Sequence, residues 1–103
     1  MSYPYDFHPE AEKELFKAID YLDGKREGYG ALLAEVAANI IDQIIENPQR
    51  FPFPSPDSKR RRAILPKPFH KIYSIYFDFE EDDILIVSFF NNYRDPRTWK
   101  ERI

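Results

Sequence analysis

The chain is expected to fold as an α+β domain in the order β-α-α-β-β-β, a helical hairpin packed on a small, mainly antiparallel sheet. Three observations lead there. Two segments in the first half carry apolar residues at helical spacing, a stretch holding four prolines follows them, and the second half is dense in aromatic and β-branched residues. At 103 residues, with 43% hydrophobic and 17% aromatic content, the chain has enough apolar surface for one core and too little length for two. We therefore read residues 1–103 as one domain.

The first strand is expected around Tyr3, Tyr5 and Phe7, which alternate with Pro4, Asp6 and His8 and so share a face. Pro4 suits an edge position. Pro9 fits the first turn of a helix, where its missing N–H costs nothing, and Glu10 and Glu12 complement the positive end of the dipole. In that helix Ala11, Leu15, Ala18, Ile19 and Leu22 form the apolar stripe, with Lys13, Glu14, Lys17 and Asp20 assigned to the wet side. Gly24, Gly28 and Gly30 punctuate its end. In the second helix Leu33, Val36, Ala37, Ile40, Ile41, Ile44 and Ile45 keep to one face until Asn47-Pro48 stops it.

Prolines 48, 52, 54 and 56 predict an extended connector. A short strand over Arg62–Leu65 follows, then one from Phe69 to Phe79 and one from Ile84 to Phe90, joined through Glu80-Glu81-Asp82-Asp83. Residues 84–90 are apolar on both faces, which places that strand centrally with both faces covered.

There is no cysteine, hence no disulfide, thiol nucleophile or Cys-based metal site. The amino terminus lacks the basic start and apolar run of a signal peptide, and no stretch approaches the roughly 18 apolar residues of a membrane span. A cytoplasmic protein without membrane contact is expected. Formal net charge is −3, but unevenly spread: residues 1–48 carry four Lys or Arg against ten Asp or Glu, residues 49–103 eleven against eight. A local basic face in the second half is compatible with an anionic partner.

Lys59-Arg60-Arg61-Arg62 offers planar donor forks suited to phosphate, or a charged edge that discourages strand-to-strand aggregation. Lys67, His70 and Lys71 follow it, and Arg94, Arg97, Lys100 and Arg102 form a second basic group; if the hairpin folds back, the two groups share a face. His8 and His70 are the only histidines. His70 is the candidate acid-base group because it lies in the basic half, against a structural or surface role; His8 reads as a residue preceding the Pro9 helix start. Two distant histidines give no metal signature, and four consecutive acids lack the alternating ligands of a calcium loop, so the 80–83 tip reads as a solvated turn. No phosphate-cradling Gly-rich loop or Gly-flanked nucleophilic serine is present. The late aromatics read as core, with base stacking as the alternative.

Four segments, in order, resemble the RelE/ParE toxin superfamily of type II toxin–antitoxin systems. Phe7-His8-Pro9-Glu10-Ala11 is similar to that family's opening strand and first helix, and Ile45-Glu46-Asn47-Pro48 with Phe51-Pro52 to its exit from the second. Arg61-Arg62-Ala63-Ile64-Leu65, followed by Pro68-Phe69 and Ile72-Tyr73, resembles its Arg-rich strand and Pro-aromatic turn. Phe90 through Lys100 resembles its closing strand and Arg-x-Pro-x-x-Trp tail.

The resemblance implies a growth-inhibitory toxin neutralised in a hetero-oligomer by a cognate antitoxin, with no cofactor and no metal. Its target would be DNA gyrase in the ParE type or ribosome-bound messenger RNA in the RelE type. For an RNA-cleaving member the catalytic candidates are Arg62, Arg94 and His70. Surfaces for target or antitoxin are implied at Lys59, Arg60, Arg61, Lys71, Asn91, Tyr93, Arg97 and Trp99, with Trp99 the expected anchor of the tail. Members with this tail commonly place His three positions before the tail arginine. Here that position is Asn91, which exchanges no proton near neutral pH, so the resemblance leans to the gyrase type. A non-toxic module of the same fold that binds only an antitoxin is a further alternative, and a free-standing RNA-binding protein another.

Overall fold

The computed structural model describes residues 2–95, 97–100 and 102; Pro96, the proline of the tail motif, lies outside the described residues, as does the side chain of Thr98. Strand β1 (Tyr5–Phe7) leads into helix α1 (Pro9–Lys25), where His8 caps the helix by accepting the Glu10 N–H on Nδ1 at 3.1 Å. Helix α2 (Tyr29–Glu46) returns antiparallel after a tight link in which Gly28 takes φ +81°. Gly30, inside α2, sits so close to α1 that a Cβ would collide with the Asp23 carboxylate and the Ile19 carbonyl; its own N–H donates to Asp23 at 2.8 Å. The glycines expected to end α1 act later than that, for Gly24 remains helical and Gly28 makes the turn.

The connector is not extended throughout. Pro48–Arg50 form one 3-10 turn, because the Asn47 carbonyl accepts from Arg50 and the Pro48 carbonyl from Phe51. Strands β2 (Arg61–Ile64), β3 (Tyr73–Glu80) and β4 (Asp83–Asn91) complete a four-stranded sheet in the order β1-β4-β3-β2. β3 starts four residues later than its composition suggests, because the Phe69 carbonyl captures both the Ile72 and Tyr73 N–H groups and folds 69–72 into a turn. The acidic tip is a two-residue turn with Glu81 at φ +53° and Asp82 at +65°, the twist that suits a two-residue hairpin.

Only the β1–β4 pairing is parallel, and it covers Ile84 to Ile86. At the point where β1 ends, β4 bulges: Tyr76 faces Ser88 and Phe77 faces Ile86, leaving Val87 as the extra residue. The outer edge of β4 beyond Ile86 therefore has no strand partner among the described residues.

One face of the sheet takes the helices. Leu33, Ala37, Ile40 and Ile44 of α2 and Ala11 and Leu22 of α1 pack with Ala63, Tyr73, Ile75, Phe77, Ile84, Ile86 and Phe89. Burying each large aliphatic or aromatic side chain there contributes roughly 1.5–3 kcal/mol. The opposite face is covered by the carboxy-terminal tail, whose short helix α3 (Arg97–Lys100) places the buried Trp99 against Tyr76 and Phe90. Among the described residues no helix is long and apolar enough to cross a membrane.

Candidate functional site

The basic run before β2 divides by strand alternation. Arg61, on the helix side with Ala63, donates to the carbonyls of Phe51 at 2.7 Å and Gln49 at 3.3 Å, and its guanidinium stacks over Phe53 at 4.4 Å from the ring centre. Arg61 pins the connector. Arg60 turns to the opposite face, where Nε pairs with Asp78 at 3.0 Å and Nη1 donates to the Trp99 carbonyl at 2.5 Å and to that of Lys100 at 3.3 Å. Nη2 donates to the Arg102 carbonyl. One guanidinium thus gathers three carbonyls of the last turn, a task its planar fork suits and an ammonium would not. Burial holds the Asp78 carboxyl above the usual carboxylate range even though Arg60 pulls the other way. Arg62 also lies on the tail-covered face, opposite Tyr76, and its guanidinium has no hydrogen-bond or ion-pair partner among the described residues. Lys59 is exposed.

The tail closes over this face. Trp99 stacks on Tyr76 with ring centres 3.8 Å apart and planes 20° apart, and meets Phe90 edge-on at 6.1 Å. Arg97 is exposed and pairs with Asp95 at 2.6 Å, which holds the Asp95 carboxyl below its usual range. Arg102 then reaches round the open edge of β4. It forms a two-pronged ion pair with Glu14 of α1, at 2.7 and 2.9 Å, and donates to the Val87 carbonyl at 3.1 Å. Glu14 in turn accepts from the Ser88 hydroxyl at 3.0 Å and the Phe89 N–H at 3.2 Å. Beyond the end of β1, these two side chains satisfy backbone groups that a strand would otherwise pair.

The other end of the sheet is different. Strand β4 runs out at Asn91 opposite Tyr73, and the turn that follows is tied to the β2–β3 loop through the Asn92 N–H and the Ile72 carbonyl at 2.8 Å. Lys67, His70 and Lys71 from that loop and Asn91, Tyr93 and Arg94 from the turn therefore gather at one end. Tyr93 is 79% exposed, Arg94 and Lys71 are exposed, and the His70 Nδ1 is buried without a hydrogen-bond partner. Beside them, a groove of about 500 Å³ runs between α1 and the end of β4, lined by Glu14, Lys17, Ala18, Tyr21, Tyr73, Phe89, Phe90, Asn91 and Arg94. Burial pushes the Tyr73 hydroxyl above its ordinary range, and the nearby Arg94 opposes that.

The two basic groups consequently do not merge into one face. Lys59 and Arg60 stand near the acidic hairpin tip, with Lys100 and Arg102 folded back toward them, while Arg94 joins His70 and Lys71 at the far end. Among the three catalytic candidates, Arg94 and His70 share that end, and Arg62 lies on the face opposite the groove. Glu14, Lys17, Tyr21 and Tyr73 were not among the residues the sequence singles out. For the helix, the signal is the 14, 18, 21 spacing that continues a partly apolar stripe beside the main one, so that half-buried Glu14 borders the sheet while Lys17 stays exposed at the groove's rim.

No protein-family model matches the sequence, and no curated protein is similar to it. A solved structure does match, the chromosomal ParDE toxin–antitoxin (TA) system from P. aeruginosa, with a TM-score of 0.71 over 87% of this chain and 96% of that one. The chain shares the fold of that structure. Sequence identity with that structure is 15%, so the helical hairpin, the mixed sheet and their connections are shared while most side chains differ. On that fold this chain carries the Arg60 clamp, the Glu14–Arg102 pair and the groove that ends at Arg94.

Proposed function

We propose that this single-domain protein is the toxin component of a type II toxin–antitoxin pair, held inactive in the cytoplasm by a cognate antitoxin. The fold carries the reading. A likeness to the ParDE system that spans nearly the whole of both chains is what a stand-alone toxin domain would give. The open end, with an exposed aromatic and several unpaired cations, supplies a surface for an acidic partner segment or for the target. Growth arrest on expression alone, relieved by the protein encoded in the adjacent reading frame, is the expected result. Unimpaired growth at verified expression would remove the toxin reading.

As target we propose DNA gyrase. Asn91 stands where members with this tail commonly carry His, and Arg62 lies on the face opposite the groove that ends at Arg94, which supports the gyrase reading over the nuclease. Cleaved DNA trapped on gyrase in the presence of the purified protein tests this directly. The second reading, a ribosome-dependent messenger RNA endonuclease, draws on the nearness of Arg94, Lys71 and His70 at one end; cleavage abolished by Arg94→Ala would establish it in place of the first.

A further inference from the structure

We propose that the groove between α1 and the end of β4 binds a phosphate group, with Lys17, Tyr73, Asn91 and Arg94 as its donors. The inference does not depend on the toxin reading.

It rests on which polar groups lining the groove are already used. The only carboxylate there is Glu14, and both its oxygens are taken, Oε1 by Ser88, Phe89 and Arg102 and Oε2 by Arg102. Its charge is matched as well. The Asn91 side-chain oxygen accepts the Tyr93 N–H at 2.9 Å, which leaves the amide NH2 as the group it can offer. The Tyr73 ring is buried, and its hydroxyl reaches the groove with no hydrogen-bond partner among the described residues. Lys17 and Arg94 pair with no described carboxylate. What remains to a ligand is therefore a set of donors, two of them cationic, around the Tyr73 hydroxyl.

Such a set calls for an anion rich in acceptor oxygens, and its charge favours phosphate over a single carboxylate. A phosphate presents several oxygens in a tetrahedron and can meet the guanidinium fork, the ammonium and the hydroxyl together. At about 500 Å³ the groove also admits the sugar that carries the phosphate.

Titration of the purified full chain with inorganic phosphate, adenosine 5′-monophosphate and a short single-stranded oligonucleotide, followed by NMR, tests the proposal. Phosphate should shift the ring resonances of Tyr73 and the side-chain amide of Asn91. Tyr73→Phe keeps the ring that packs between Phe69 and Phe89, and should weaken phosphate about tenfold, the expected loss of one hydrogen bond to a charged group. Arg94→Ala, at an exposed position, should weaken it at least as much, whereas Arg50→Ala in the connector should change nothing. Tighter binding of the mononucleotide than of the oligonucleotide assigns the phosphate to a free nucleotide; the reverse order assigns it to a nucleic acid strand. The proposal is overturned by an absence of phosphate-induced shifts at Tyr73 and Asn91, by affinity undiminished in Arg94→Ala, or by an acidic peptide binding as tightly as phosphate. Growth arrest is a separate readout, so failure here leaves the toxin reading standing.

Discussion

The two ends of the sheet carry similar side chains and use them in opposite ways. Toward the hairpin tip and along the outer edge of β4, Arg60, Arg61 and Arg102 are spent on the protein itself, on carbonyls of the tail and connector and on the carboxylates of Asp78 and Glu14. At the other end Lys71 and Arg94 are exposed and form no ion pair with a described carboxylate. Local sequence does not explain the difference, since Arg61 and Arg62 are adjacent and only one is engaged. What separates them is whether the fold delivers unpaired acceptors within reach. Helix ends, tails and strand edges present such acceptors, and the arginines nearest to them become structural.

Substitutions at the two ends should therefore affect different measurements. The largest loss of stability is expected for Trp99→Ala, about 3 kcal/mol by chemical denaturation, since it removes the stacked ring that seals the tail onto Tyr76 and Phe90. A loss below about 1 kcal/mol would mean that the tail is not part of the folded core. Arg60→Ala should cost about 2 kcal/mol, because it leaves three carbonyls and the half-buried Asp78 without their donor; Arg60→Lys should recover little of this. Glu14→Gln, which leaves the Arg102 guanidinium uncompensated, should cost about 1–2 kcal/mol.

At the open end the order reverses. Arg94→Ala should change stability by less than about 0.5 kcal/mol while abolishing growth arrest. A large stability loss there would show that Arg94 has a structural partner and would erase the contrast between the two ends.

The smallest effect concerns pH. Burial raises the folded-state pKa of Asp78 above its unfolded value, so its contribution to stability is fully present below the unfolded pKa and is lost as pH rises through the folded one. Denaturation of the wild type and of Asp78→Asn, compared across the acid range, should show the wild type gaining on the variant as pH falls. A gain in the opposite direction would mean that the Arg60 pair outweighs burial.

Patterning foretold most of the architecture because each signal is local. The four-residue and three-residue spacings of α2, Pro9 at the start of α1 and the unbroken apolar run of β4 each act within one element, and the structure places them accordingly. β3 starts later than its composition predicts because one carbonyl, that of Phe69, captures two N–H groups against the β propensity of its neighbours. Little of the candidate site was legible. Asn91 and Arg94 stood out through their place in a motif, whereas Glu14, Lys17, Tyr21 and Tyr73 lie on a helix and a strand far apart in sequence.

By itself, then, the sequence determined the order of elements, the central place of β4 and the position of the buried stripes, since those depend on side-chain period and on the backbone demands of proline. The tertiary structure decided which cations are free. That depends on distances between groups such as Arg102 and Glu14, 88 positions apart, and on a strand edge left open where β1 stops short. Charge type is written residue by residue. Charge availability is set by whichever unpaired acceptor the fold brings within hydrogen-bond reach.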